Sequence, residues 1–557
     1  MAVQAQHLLS HAFLPHHDVL GHPFRALEGA AVCGAGGVFL DELGIAGCAP
    51  AAGTGDAVFG GAARSELTCN GGGEYDDGLL PRKRARVAAG LVECGGQQGS
   101  LVLPLAAPPP QGQPFAGDAR TRAVGCGAAS TSGRAAASGV LSQLYHQGVE
   151  IDALVRLEVS DDKFEEEAAR NGGIIKNGRE ILFQAFNWES NKQSWWSKLE
   201  DKVTDLAESG FTSAWLPPPT QSLSREGYLP QSLYCLDSCY GSLSELKSLL
   251  HKMHEHNLRA MADVVINHRI GTTQGSNGMY NRYDGIPISW DEHAVTSCSG
   301  GKGNKSTGDN FDGVPNIDHT QTFVRKDIIE WLIWLRRSVG FQDFRFDFAK
   351  GYAAKFVKEY IEESKPLFAV GEYWDSCEYS PPDYRLNYNQ DNHRQRIINW
   401  IDSTGGLCAA FDFTTKGILQ EAVKGELWRL RDPEGKPPGV MGWWPSRSVT
   451  FIENHDTGST QGYAYILTHP GIPAVFYDHF YDQGSSLHDE IAKLMQIRKC
   501  QDIHSRSSVK ILEAKSDLYS AIIDEKLCMK IGDGSWCPSE PEWRLAASGD
   551  RYAVWHK

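Results

Sequence analysis

The stretch GFQDFRFDFAK, residues 340–350, alternates Phe344, Phe346 and Phe348 with Arg345 and Asp347. Successive side chains of a β-strand point to opposite faces, so this spacing sends the arginine and the carboxylate to one side and the three rings to the other. A carboxylate at the end of a buried strand, with a cation two residues before it, is held ionised and is available as a nucleophile. A structural ion pair reads the same way in this segment alone. Three further segments repeat the pattern of an apolar run ending in polar residues: AMADVVINH (260–268), LFAVGEYW (367–374) and SVTFIENHD (448–456). Four such ends in one chain point to a site rather than to packing.

The same kind of run recurs along the chain. ILFQAFNW (181–188), FTSAWL (211–216), RAMADVVI (259–266), FQDFRFDF (341–348), LFAVGEY (367–373), CAAFDF (408–413), SVTFIE (448–453) and PAVFYD (473–478) make eight short apolar segments. Amphipathic stretches such as SELKSLLHKMHEHN (244–257) and VRKDIIEWLIWLRRSV (324–339) lie between most of them. Eight buried parallel strands with intervening helices predict a closed (β/α)8 TIM barrel over residues 178–504. The third and fourth strands are too far apart for one helix, and the intervening residues are rich in Gly, Asn and Asp. An inserted subdomain over 267–323 is therefore expected above the barrel mouth, where functional loops gather. HDEIAKLMQIRKCQDI (488–503) closes the barrel, and the runs VKILEA, LYSAIID, LCMKIG and YAVWHK predict a small antiparallel sheet domain over 505–557.

Composition bounds the partners. The net charge of -15 argues against nucleic acid, because phosphate binding needs a basic face, and a neutral polymer is easier to accommodate. No apolar run approaches the roughly 20 residues needed to span a bilayer. The 13 cysteines form no C-x-x-C pair and suggest a reducing compartment. A cytoplasmic location follows, with a plastid as the alternative, because the first 40 residues are poor in acids and rich in Ala but also poor in Ser and Arg. All 15 Trp lie from Trp188 onward. Residues 1–165, rich in Gly, Ala and Pro, are expected to form a mostly disordered extension without an enzyme site. This extension contains the basic cluster PRKRAR (81–86) and a helical apolar spacing in LSQLYHQGVEIDALVRLE (141–158). With the MAVQAQ start, these segments resemble the N-terminal part of plant BOI-related RING-type ubiquitin ligases. No Cys/His zinc module follows, so ligase activity is not implied.

Glycoside hydrolysis needs one carboxylate as nucleophile and one carboxylic acid as proton donor about the glycosidic oxygen. Asp347, Glu372 and Asp456 end strands four, five and seven and can converge over the barrel mouth. The motifs DVVINH (263–268), FRFDFAKGY (344–352), VGEYW (370–374) and FIENHD (451–456) resemble, in order, those of plant α-amylases from about Gly178 to Lys557. That resemblance implies an endo-acting, retaining hydrolase of α-1,4-glucosidic bonds in starch or maltodextrins. Asp347 is then the nucleophile, Glu372 the general acid and base, and Asp456 the stabiliser of an oxocarbenium-like transition state. It further implies that His268, His455, Arg345 and Lys350 bind the sugar and that Tyr228 forms its stacking platform. Trp443 and Trp444 match a surface starch-binding site. The family's structural calcium implies Ca2+ held by Asn267, Asp309, Asn316 and the carbonyl of Gly351, with weakened binding where Asn replaces a carboxylate. A monomer is expected. Arg345 should lower the pKa of Asp347, and the aromatic neighbours Tyr373 and Trp374 should raise that of Glu372. One departure concerns the loop after strand seven. In ENHDTGSTQ (453–461), Gln461 runs directly into the following helix, where the family carries a longer loop. A glucan-binding homologue with impaired catalysis is the alternative reading that this shortening raises.

Overall fold

The computed structural model describes residues 178–452 and 460–557. The predicted helix at 141–158, the basic cluster and the whole N-terminal extension lie outside the described residues, as do His455 and Asp456.

Eight parallel strands close into a barrel: β1 (Leu182–Gln184), β2 (Ser213–Trp215), β3 (Arg259–Val264), β4 (Asp343–Phe346), β5 (Ala369–Gly371), β6 (Ala409–Phe411), β7 (Ser448–Phe451) and β8 (Ile472–Phe476). They neighbour one another in chain order, and β1 pairs with β8 to complete the ring. Each predicted apolar run contributes one of them. Every residue of β3 and β4 is buried, as expected of strands covered on one face by helices and on the other by the barrel interior. The strand in 341–348 stops at Phe346, so only Phe344 and Phe346 share its outer face. Phe348 has left the strand, with φ +42°, and its ring meets Phe311 of the insert edge-on.

Helix α1 (Leu243–Glu255) begins at a reciprocal cap: Ser242 Oγ accepts from Glu245 N, and the Glu245 carboxylate accepts from Ser242 N. Leu246, Leu249, Leu250 and Met253 form its buried stripe at helical spacing. Helix α2 (Thr322–Trp334) follows the insert and is continued by a wider turn to Val339. Between β3 and α2 the insert has little regular structure and is organised around Arg269. This buried guanidinium donates to the carbonyls of Gln231, Ile288 and Pro287 at 2.8, 2.8 and 3.0 Å, and stacks on Tyr283 and Trp290. The insert is thereby pinned over the C-terminal ends of the strands.

The last helices, α3 (Thr460–Thr468) and α4 (Ser485–Cys500), lead to an antiparallel sheet. Its strands are β9 (Val509–Ala514), β10 (Tyr519–Ile523), β11 (Leu527–Ile531), β12 (Arg544–Gly549) and β13 (Tyr552–His556), in the order β9-β10-β11-β13-β12. Four of the five strands correspond to predicted runs. The fifth, β12, pairs only with β13 at the sheet edge.

Candidate active site

The register of the barrel sets the site. Asp263 of β3 lies opposite Arg345 of β4, so both side chains leave the same layer at the C-terminal end of the barrel. The backbone continues the pairing one residue further: Asp347 N donates to Val264 O at 3.0 Å, and Glu372 N to Phe346 O at 2.9 Å. Asp347 and Glu372, predicted as separate strand ends, therefore meet. Arg345, 3% exposed, binds three carboxylates: Nη1 reaches Asp263 Oδ1 at 2.7 Å and Asp347 Oδ1 at 2.6 Å, and Nη2 reaches Glu372 Oε1 at 2.7 Å. Glu372 is also within hydrogen-bond reach of Asp347 and accepts from Phe348 N at 3.2 Å.

This arrangement corrects one expectation. Burial pushes the carboxyl of Asp347 up to about 6, and although Arg345 pulls the other way, the negative charge of Asp263 adds to the rise. One cation shared among three carboxylates does not hold the two buried ones, Asp263 and Asp347, below the usual range. Nor is Glu372 left among the adjacent rings: Tyr373 stacks on Trp400 and Trp374 on Phe413, while Glu372 turns to Arg345.

Asp263 is the residue that sequence reasoning did not single out. Its Oδ2 accepts from Tyr228 Oη at 2.8 Å and from the indole N–H of Trp215 at 3.1 Å, while Oδ1 accepts from Arg345. The Arg345 guanidinium also lies over the Trp215 ring, 4.7 Å from its centroid. The signal was present in AMADVVI. A lone acid inside an apolar strand is buried, and a buried charge needs partners. Tyr228 stands edge-on to Trp188, which puts two aromatic rings beside the carboxylates. His268 is buried, stacks on Phe311, and places Nε2 at 2.8 Å from the carbonyl of Tyr228. Burial depresses its pKa to about 4, so it is neutral and donates to that carbonyl.

Lys350 projects between two loops and pairs with Asp309 of the insert at 3.1 Å and with Asp375, beyond β5, at 3.0 Å. Asp375 in turn pairs with Arg396. Trp443 and Trp444 precede β7 and so lie at the N-terminal end of the barrel, opposite the carboxylates. One face of Trp443 covers the Arg394 guanidinium at 3.5 Å, and the indole remains 38% exposed.

The four residues expected to bind calcium are neighbours but differ as donors. Asn267 Oδ1 faces Gly351 so closely that a Cβ there would run into it, with the edge of the Phe348 ring beside it. Asn316 Oδ1 already accepts from Asn267 Nδ2 at 3.1 Å and Phe311 N at 2.9 Å, so both of its lone pairs are used. The Asp309 carboxylate is turned to Lys350. Among the described residues no three acidic, His or Cys side chains converge on a metal position. Asn267 and Gly351 thus fit an oxygen-ligated cation, whereas Asn316 and Asp309 are engaged elsewhere.

Comparison with known proteins gives concordant matches. Residues 185–280 match the model of the alpha amylase catalytic domain, and residues 500–556 that of the alpha-amylase C-terminal beta-sheet domain. The chain is 70% identical over 398 residues to "Probable alpha-amylase 2" of Arabidopsis thaliana, covering 69% of this chain and 96% of that protein. It is 52% identical over 398 residues to "Alpha-amylase 3, chloroplastic" of the same plant, covering 68% of this chain and 44% of that one. It is 48% identical over 156 residues to the "Alpha-amylase type B isozyme" of Hordeum vulgare, covering 25% of this chain and 99% of that protein. Among solved structures, an Anoxybacillus α-amylase superposes with a TM-score of 0.50 at 15% identity, covering 68% of this chain and 98% of that one, a likeness of fold.

Proposed function

The chain belongs to the plant α-amylase family, and from that premise we propose that Asp347, Glu372 and Asp456 divide the work of cleaving its glucan. It is a glycoside hydrolase that cleaves α-1,4-glucosidic bonds in starch. The observation that supports the assignment is the convergence of Asp347 and Glu372 on opposite nitrogens of one guanidinium. Asp347 attacks the anomeric carbon, and Glu372 protonates the departing glycosidic oxygen and then takes a proton from water, the sequence of a retaining double displacement. Asp456, beyond β7, supplies negative charge to the oxocarbenium-like transition state. Tyr228 and Trp188 offer a stacking wall for the sugar. His268 acts on that wall through the Tyr228 carbonyl, while Lys350 and His455 contact the glucan. Trp443 and Trp444 form a separate glucan-binding surface at the far end of the barrel.

A calcium ion in this chain would be held by Asn267 Oδ1 and the carbonyl of Gly351, and would tie the insert to the barrel. With so few charged donors its affinity is low, so chelation by EDTA is expected to lower Tm by no more than about 2 °C at millimolar calcium. The name of one relative places that protein in the chloroplast, which fits a plastid location; imaging a fluorescent fusion of the full chain tests it. No described helix is long and apolar enough to cross a membrane.

The decisive assay combines reducing-sugar release from soluble starch with proton NMR of the first product. Release of the α-anomer first is expected; β-anomer first, or no release, would overturn the retaining assignment.

A further inference from the structure

We infer that Asp263 is a positioning residue that ties the aromatic wall of the sugar site to the nucleophile, through Arg345, and sets the charge against which Asp347 ionises. The inference rests on the reading of Asp347 as nucleophile. Asp263 is 2% exposed, and its two oxygens are fully committed: Tyr228 Oη and Trp215 Nε1 on Oδ2, Arg345 Nη1 on Oδ1. The same Nη1 donates to Asp347 Oδ1. A displacement of Asp263 therefore moves three things: the ring on which a sugar stacks, the indole beneath the guanidinium, and the nitrogen that orients the nucleophile.

The electrostatic part follows from position. The groups facing Asp347 among the described residues are Arg345 at the end of β4, Asp263 on β3, Glu372 after β5, and the Tyr228 and Tyr352 phenols. Asp263 opposes ionisation of Asp347, whereas Arg345 and the hydrogen bond with Glu372 favour it. Asp263 is the like charge that does not itself touch a reacting atom. Removing it leaves the acid Glu372 in place while giving Asp347 a larger share of the guanidinium. A residue that merely braces the barrel would not have this effect.

The test compares Asp263→Asn with Tyr228→Phe in the full-length protein, following kcat and KM on maltoheptaose across pH, with melting temperature as the check on folding. Asp263→Asn is expected to lower kcat by about tenfold or more, to raise KM, and to move the acid limb of kcat/KM toward lower pH by about half a unit. Tyr228→Phe removes only the bond to Asp263 Oδ2, and is expected to raise KM with the limb unmoved. An unmoved limb in Asp263→Asn, or an equal displacement in Tyr228→Phe, overturns the inference. If Asp263→Asn gives no soluble protein, Asp263→Glu keeps the charge and shifts it by one methylene. It should then lower kcat with the limb in place, and a displaced limb counts against the inference. Failure of the underlying reading is separable, because it would appear as activity retained in Asp347→Asn.

Discussion

Arg345 decides most of what happens at the scale of single residues, because three carboxylates, two of them buried, compete for its guanidinium. With Asp347 raised to about 6, acidification protonates the proposed nucleophile, so kcat/KM should fall about tenfold per pH unit below that value. Because Asp347 and Glu372 share a hydrogen bond, the limb belongs to the pair. The sign for stability is opposite. The native state binds this proton more tightly than the unfolded chain does, so the group costs stability above pH 6 and the cost is relieved as pH falls toward 3.8. Replacing Asp347 by Asn removes the nucleophile and one of the crowded charges together. Turnover of soluble starch should drop by about a thousandfold or more, while Tm, measured by calorimetry, stays level or rises. The Arg345–Asp347 spacing was legible in FRFDF because a strand has a period of two. The net effect on Asp347 was not, because it depends on Asp263 and Glu372, which come from other strands.

At the scale of elements, the barrel was legible because each strand lies in a short apolar run bounded by turns, and where β4 alternates polar with apolar residues, its buried Asp343 and Arg345 are paired with Arg259 and Asp263. The edge strand β12 was missed for the converse reason. RLAASG carries one large apolar residue, Leu545, which is 59% exposed, and the strand owes its conformation to β13 rather than to its own propensity. The insert was legible only as an irregular stretch. What organises it is Arg269, one basic residue in INHRIG whose three carbonyl acceptors lie on two other segments. Lysine cannot reproduce the planar fork or the stack between Tyr283 and Trp290. Arg269→Lys is therefore expected to cost roughly 2–4 kcal/mol, seen as a lower urea midpoint and as faster limited proteolysis within 270–315. An unchanged midpoint would mean that the insert is held by other contacts.

The barrel and the C-terminal sheet are joined, at the scale of the whole molecule, through a histidine. His469, just beyond α3, is fully buried, with Nδ1 at 3.0 Å from Tyr465 O and Nε2 at 2.8 Å from Tyr519 Oη of β10. Burial depresses its pKa to about 3, and the nearby Arg498 acts in the same direction. An unfolded His titrates near 6.5, so between these two values the unfolded chain binds a proton that the native state refuses. The stability that neutral His469 contributes is present above pH 6.5 and is lost progressively as pH falls below it, by about 2 kcal/mol at pH 5. His268 and His319 are buried and depressed in the same sense, so the whole protein should lose stability on acidification by more than one route. The share of His469 is isolated by difference. In His469→Asn the absolute Tm at pH 7 should be lower, because the bridge to Tyr519 is weakened, but the drop in Tm between pH 7 and pH 5 should shrink by about 2–4 °C relative to the parent. Calorimetry at the two pH values measures it. An equal drop in both proteins would show that His469 is not the group whose protonation loosens the junction between barrel and sheet.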